Sequence, residues 1–171
     1  MARIHCFEPI QDNNTEILIL GTMLGHTSLV TGQYYAHPQN SFWRIMSALL
    51  QFKLASPYEI KVLALISAHI ALWDVLQSCK RKGSLDARIE HDTQIANDFQ
   101  TFFNTHPRIR HIFFNGAKAE HLFKQYVPQN INLNRLCLPS TSPAHAAMTF
   151  DKKLDSWRII LDFLPKNPKG T

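Results

Sequence analysis

Five side chains that can bind or react, Tyr34, Tyr35, His37, Gln39 and Asn40, fall within seven residues. An aromatic face can stack on a planar heterocycle, and a side-chain amide can read the hydrogen-bonding edge of such a ring. Tyr35 is the stacking candidate. Two further segments carry similar chemistry: Asn115-Gly116, and Pro139-Ser140-Thr141-Ser142-Pro143. Hydroxyls and backbone N–H groups at a loop mouth are good phosphate ligands. His26, His37 and His145 lie in the same stretches, and His is the side chain most easily tuned near neutral pH. Each feature also has a plain structural reading. Tyr34 and Tyr35 can close a loop over the core. Asn40 before a helical stripe is an ordinary N-cap, and Asn-Gly is a common turn pair. A polar-loop His is more often a surface residue, Lys80 to Lys82 reads as a solvated face, and Asp74 can cap a loop or position a water.

The elements that must position these residues are legible from hydrophobic spacing. Ile17 to Leu20 is an apolar run long enough for a buried strand, with Gly21 and Gly25 bracketing a turn beyond it. A polar, aromatic loop is expected from Thr27 to Gln39. Phe42, Ile45, Met46 and Leu49 then recur at helical spacing, widened by Trp43 and Leu50, over a helix from Ser41 to about Phe52. Ser56 as N-cap, with Pro57 and Glu59, predicts a short helix to about Ser67. Ile70 to Val75 is the second strand and Gln77 to His91 a surface loop. Ile95, Phe99, Phe102 and Phe103 form the next helical stripe, closed by Pro107. Arg110 to Phe114 is the third strand, followed by a helix whose Ala119, Leu122, Phe123 and Tyr126 share a face. Arg135 to Leu138 is the fourth strand. A last helix, about Asp151 to Phe163, carries Leu154, Trp157, Ile160, Leu161 and Leu164 inward. Residues 1 to 16 are a lead-in, with Arg3 to Phe7 packing loosely, and 165 to 171 a frayed tail. Short apolar strands alternating with helices argue a parallel sheet covered on both faces. Ligands bind outside the carboxyl ends of such strands, so the three polar segments can converge on one cleft.

The bulk numbers bound the reading. A chain of 171 residues with 45% hydrophobic and 18% charged residues is most simply one folded domain. A formal charge of +5 and a pI near 9.2 favour polyanionic partners. Cys6, Cys79 and Cys137 are scattered, so neither a zinc site nor a cysteine-ligated cluster is supported. The odd count points to a reducing compartment. No apolar run approaches a membrane span. There is no Gly-x-Gly-x-x-Gly, no phosphate-binding Lys motif and no Gly-x-Ser-x-Gly, which weakens dinucleotide, NTP and α/β-hydrolase readings.

Four segments together resemble the uracil-DNA glycosylase superfamily, in matching order: Gly21-Thr22-Met23-Leu24-Gly25, Tyr35 to Trp43 with its His37-Pro38-Gln39-Asn40, Phe114-Asn115-Gly116, and Pro139 to Pro143. The chain is most similar to the hypoxanthine (deoxyinosine) branch, related to the mismatch-specific uracil and thymine enzymes. Ile70 to Val75 and Lys82 to Asp86 share that likeness, which covers roughly residues 17 to 160. The resemblance implies a three-layer α/β/α fold with a four-stranded parallel sheet. It implies hydrolysis of the N-glycosidic bond of a deaminated base, with no metal or organic cofactor. The partner implied is double- or single-stranded DNA containing such bases. Asn40 and Asn115 become the catalytic pair: Asn40 orients a water and Asn115 reads the flipped base. Gly21, Thr22, Met23, Tyr35, His37, Ser140, Thr141, Ser142, Pro143 and His145 become the substrate-binding set. The chain departs from related patterns at three places. Met23 replaces the first-loop Asn of mismatch-specific enzymes, Leu24 replaces a usual proline, and Leu138 stands where the most active uracil enzymes carry His.

The mechanism expected from that resemblance needs little nucleophilic push, because base loss passes through a sugar with oxocarbenium character. Asn115 and backbone N–H groups stabilise charge on the departing base. A deaminated base pairs poorly and flips out more cheaply. Two other functions compete: a module that grips damaged bases without cutting, motivated by the apolar Met23 and Leu138, and a hydrolase of free nucleosides. The chain is expected to be a cytoplasmic monomer, nucleoid-associated if bacterial.

Overall fold

The computed structural model describes residues 2–166. The expected tail lies largely outside that range. Strands β1 (Arg3–His5) and β2 (Ile17–Gly21) open the chain. They are followed by α1 (His26–Thr31), α2 (Phe42–Leu50), α3 (Tyr58–Ser67), β3 (Ile70–Asp74) and β4 (Leu76–Lys80). Then come β5 (Ile95–Ala96), α4 (Phe99–Thr105), β6 (His111–Asn115), α5 (Ala117–Tyr126), β7 (Asn134–Leu138) and α6 (Phe150–Trp157), which passes into a 3-10 stretch at Arg158–Phe163.

The central sheet has four parallel strands in the order β3-β2-β6-β7. Every residue of β2 is buried, as a strand covered on both faces requires. Pleating sends alternate side chains to opposite faces. Trp73 and Phe114 meet Phe99 and Phe123 on the α4 and α5 side. Asp74 and Asn115, one residue on in each strand, therefore turn to the other side. There Phe42 of α2 packs on Trp157 of α6 with ring centroids 6.0 Å apart.

A second sheet was not expected. Arg3 to His5 pairs antiparallel with Ser78 to Lys80, and β4 also pairs with β5, giving the order β1-β4-β5. The lead-in is therefore tied down, and Gln77 to Lys80 is strand instead of surface loop. The pattern was hidden because these strands run two to five residues and carry mixed side chains, too short for a clear period. Ile95 accordingly leaves the expected helical stripe and stands 46% exposed, while Asp98 caps α4 by accepting from Thr101 N. Further differences are local. The start of the expected Thr27 to Gln39 loop is helical instead, as α1, closed by Gly32 at φ 69°. Pro57, not Ser56, is the N-cap residue of α3. The last helix tightens to 3-10 geometry after Trp157, so Trp157 and Ile160 are buried but Leu161 turns out to 40% exposure.

Candidate active site

The parallel strands end in one row. The register pairs Gly21 with Asp74 and Asn115 with Leu138, and continuing the β2–β6 register places Asn115 beside Gly21. Adjacent strands lie about 4.8 Å apart, so Asp74 and Asn115 flank Gly21 at a Cα separation of roughly 10 Å. A cleft of about 750 Å³ opens over this row. Ligand pockets commonly have volumes of this order.

Glycine is required at the centre of the row. A Cβ on Gly21 would stand 2.7 Å from Asp74 Oδ1 and 2.8 Å from Tyr35 Oη. The Tyr35 hydroxyl thus reaches down over Gly21, close to the carboxyl. Tyr35 has a positive φ of 53°, a conformation that costs a non-glycine residue about 1–3 kcal/mol. Several neighbours hold it there. Its ring stacks on Phe42 at 4.3 Å, Trp43 Nε1 donates to Tyr34 O, and Tyr34 N donates to the Tyr58 hydroxyl. One tyrosine face is occupied by Phe42 while the residue also lines the cleft.

Asn115 is fixed from two directions. Thr141 N donates to its Oδ1 and its Nδ2 donates to Thr141 Oγ1, both at 2.9 Å. That reciprocal pair leaves one N–H and one carbonyl lone pair free. Gly116, at φ 96°, lets the chain turn at this point, and a Cβ there would press to 3.0 Å from Ser140 Cβ. The 139–145 loop is folded on itself: Ser142 N donates to Ser140 Oγ, Ala144 N to Ser142 Oγ, and His145 N to Ser142 O. Trp157 Nε1 anchors it through Pro139 O, and Lys153 Nζ reaches Ser142 O at 3.4 Å. Ser41 N joins this loop to the start of α2 by donating to Thr141 O.

Ser41, not Asn40, is the N-cap residue of α2, but Asn40 still has a structural duty one residue earlier. Its Oδ1 accepts from Phe42 N at 3.0 Å, which satisfies an otherwise orphan donor at the start of α2. The remaining oxygen lone pair and its Nδ2 are available to the cleft that it lines. His37, also on the rim, accepts from Gln39 N through Nδ1, which places the proton of the neutral ring on Nε2.

The opposite wall differs in charge. Asp74 is buried, and desolvation pushes its carboxyl up to about 7, reinforced by nearby Asp86 and opposed by Arg81. Burial and the Asp74 carboxylate push the Tyr35 phenol well above its ordinary value, while the Asn115 amide acts in the opposite sense. Tyr35 Oη and Asp74 Oδ2 are both buried without a hydrogen-bond partner among the described residues. Arg81 is buried too, contrary to the solvated face expected for Lys80 to Lys82. It donates to Gly83 O and Leu24 O and pairs with Asp86 at 3.4 Å. Leu24 thus has its carbonyl clamped by a guanidinium where the related pattern has a proline.

A family model described as the uracil DNA glycosylase superfamily matches residues 8–164. A hypoxanthine DNA glycosylase of Methanosarcina acetivorans is 35% identical over 157 residues, 90% of this chain and 95% of that protein. The chain belongs to the hypoxanthine DNA glycosylase branch of that superfamily. A hypoxanthine DNA glycosylase of Methanosarcina barkeri is 40% identical over 114 residues, covering 66% of this chain and 71% of its own. The solution NMR structure of a provisionally named uracil DNA glycosylase from Methanosarcina acetivorans superposes with a TM-score of 0.81. It has 31% identity and covers 95% of this chain and 98% of that one.

The catalytic and substrate-binding residues expected from the sequence meet in one place, whereas Gln39 of the first cluster lines the adjoining groove instead. Asn40, Asn115, Gly21, Thr22, Met23, Tyr35 and His37 line the cleft, as do Ser140 to Pro143 and His145. Met23 and Leu138 are buried apolar residues, 8% and 4% exposed. Arg81, Asp86 and Lys118 carry no functional signal in the sequence, and Asp74 only a generic one; Asp74, Asp86 and Lys118 nevertheless line the cleft. One signal was available: an Asp ending a buried strand next to a Gly-terminated one must be buried at the sheet's carboxyl edge. Among the described residues no group of three His, Cys, Asp or Glu could hold a metal ion, and no helix is long and apolar enough to cross a membrane.

Proposed function

We propose that this protein is a monofunctional DNA glycosylase that hydrolyses the N-glycosidic bond of hypoxanthine in DNA, the first step of base excision repair. The observation that carries the reading is the fixed Asn115 amide. Its two bonds to Thr141 leave one donor and one acceptor of the amide unused in a residue that lines the cleft together with Tyr35. That pair is complementary to the N1–H and O6 of hypoxanthine. Adenine reverses the polarity at its six-position and has no proton on N1, so it is rejected by an amide that is held against flipping. The names of the Methanosarcina relatives support the same base. Uracil and xanthine carry a similar donor–acceptor edge and are the expected secondary substrates.

In this reading the three-layer frame presents the loops on one edge of its parallel sheet to an extruded nucleotide. Tyr35 flanks the base, and Asn115 binds its edge and stabilises negative charge as the bond breaks. Asn40 holds the attacking water through the lone pair and N–H left over from its helix duty. It orients the water without deprotonating it, since an amide has no useful basicity. The folded Ser140 to His145 loop offers hydroxyls and N–H groups to the flanking phosphates. An adjoining groove of about 450 Å³, lined by Arg44, Lys61 and Lys153, continues that path. The protein acts as a monomer in the cytoplasm on this account, with DNA affinity that falls steeply with salt.

End-labelled duplexes carrying one hypoxanthine, uracil, xanthine or mismatched thymine test the proposal. Strand cleavage after alkali but not before, fastest for hypoxanthine, is expected. Strand cleavage before alkali would contradict a monofunctional enzyme, and a uracil or thymine preference would contradict the base assignment.

A further inference from the structure

The mechanism above leaves one buried, cleft-lining group without work. Asp74 ends β3, 3% exposed, and its Oδ2 has no partner among the described residues. An isolated buried carboxyl is costly, and a residue kept in that condition at a site usually has a task there. Its placement says which task. Asp74 and Asn115 point to the same side of the sheet on either flank of Gly21, at a Cα separation of roughly 10 Å. That span suits a bicyclic purine better than a single six-membered ring. With O6 and N1–H of hypoxanthine on the Asn115 amide, the five-membered ring is directed toward the carboxyl end of the row.

Resting on the reading of the site as a hypoxanthine glycosylase, we propose that Asp74 is the general acid that protonates the departing purine at N7. The C1′–N9 bond breaks with both electrons going to the base. The Asp74 carboxyl proton passes to N7, so hypoxanthine leaves neutral. The attacking water bonds to C1′ and loses one proton to solvent, from which the Asp74 carboxylate takes its proton back. The sum is one water consumed, with no other reactant. Purines gain more from this than pyrimidines, because uracil leaves as a stabilised anion without an acid.

Burial raises the carboxyl's pKa, and Asp86 from the β4–β5 connection raises it further. Tyr35 and Tyr34 from the first loop and Cys6 from the N-terminal segment also lie near it; they are uncharged at neutral pH and supply no stabilising cation. Arg81 is the opposing cation, but it is committed to Asp86 and to the Leu24 and Gly83 carbonyls. Asn97 donates to the main-chain oxygen of Asp74 and otherwise pairs with Cys6 Sγ, leaving the carboxyl alone. Burial then holds the carboxyl near 7, in the range where an acid donates efficiently at neutral pH. DNA phosphates at the cleft raise it further.

The test is the single-turnover rate of hypoxanthine release from duplex DNA between pH 5.5 and 9.5, for the wild type and for Asp74→Asn. The wild type is expected to show a plateau at low pH and a tenfold fall per pH unit above the carboxyl's pKa. Asp74→Asn is expected to be slower by about 100-fold at pH 6, within the usual span of general-acid contributions, and to lose the fall with pH. Asp74→Glu is expected to restore the descending profile. A duplex carrying 7-deaza-2′-deoxyinosine, which has no basic N7, gives an arm independent of any variant. The wild type is expected to bind it with affinity within a few-fold of the deoxyinosine duplex and to release its base about 100-fold more slowly. A wild-type rate that is flat or rises with pH, an Asp74→Asn profile matching the wild type, or undiminished release of the 7-deaza base would each overturn the proposal while leaving the glycosylase reading intact. No base release by the wild type at any pH would overturn both.

Discussion

The two flanks of Gly21 are built on opposite principles. On one side Asn115 is neutral, and both ends of its amide are bonded to Thr141. On the other side Asp74 has a carboxyl oxygen and a neighbouring Tyr35 hydroxyl with no partner among the described residues. On the proposed function the first flank is a recognition surface whose orientation is already set before a base arrives, so little is lost in ordering it. The second flank is held in an uncomfortable state, and its discomfort is relieved only by a proton or by a ligand. On the proposed mechanism a single strand-end row divides reading the base from helping it leave.

The contrast breaks most sharply at Asn115. Asn115→Ala is expected to lower hypoxanthine release by about 10²–10³, the usual result of removing a preorganised donor, with unchanged affinity for undamaged duplex. Single-turnover kinetics and a binding titration measure the two together. On the other flank the same kind of change stabilises the fold. The folded Asp74 keeps its proton to about 7 against 3.8 for an ordinary Asp, so between those values the folded state binds more protons than the unfolded chain. Stability therefore falls as pH rises from about 4 to 7 and stays lower above. Asp74→Asn removes that penalty. At pH 8 it is expected to raise stability by roughly 2–4 kcal/mol, with the gain vanishing near pH 4, as denaturant titrations at the two pH values would show. A variant no more stable than wild type at pH 8 would deny the strain assigned to this flank.

Smaller effects sharpen the same contrast. Thr141→Val removes the acceptor of Asn115 Nδ2 but keeps the backbone donor to Oδ1. Loss of one buried hydrogen bond is worth about 1–1.5 kcal/mol, so release is expected to slow about tenfold, with Thr141→Ser restoring it. Asn40→Ala removes the acceptor of Phe42 N and is expected to cost about 1 kcal/mol of stability, the usual worth of one hydrogen bond. Its release rate should fall by more than that loss of stability can explain, because the water loses its ligand. A rate loss fully recovered by stabilising the fold at lower temperature would reduce Asn40 to a structural residue.

How far these two flanks were legible beforehand follows from their physics. Each parallel strand carries an apolar run, short in the edge strand β7, and a run such as Ile17 to Leu20 cannot be hidden. Asn115 and the Ser/Thr loop stand directly beyond such runs, so the recognition flank could be placed from the sequence. The strained flank could not. Its surroundings come from Tyr34 and Tyr35 of the first loop, from Cys6 and Asp86 in the segments that follow the short, mixed strands β1 and β4, and from Arg81, whose neighbours Lys80 and Lys82 make it look like one of a solvated trio. Arg81 is drawn inward by its bonds to Leu24 O, Gly83 O and Asp86. The orphaned state of Asp74 depends on where Arg81 is committed, and no spacing along the chain records that.

The central claim is that the row beneath this cleft releases a deaminated purine from DNA. The direct measurement is mass-spectrometric detection of free base and abasic strand after incubating a single-hypoxanthine duplex with the protein in the presence of a chelator. The account predicts free hypoxanthine and abasic strand in equal amounts from the wild type, and a loss of about 10²–10³ in rate for Asn115→Ala. Tight, salt-sensitive binding of the same duplex with no free base would contradict it and would make the protein a damaged-base binding module.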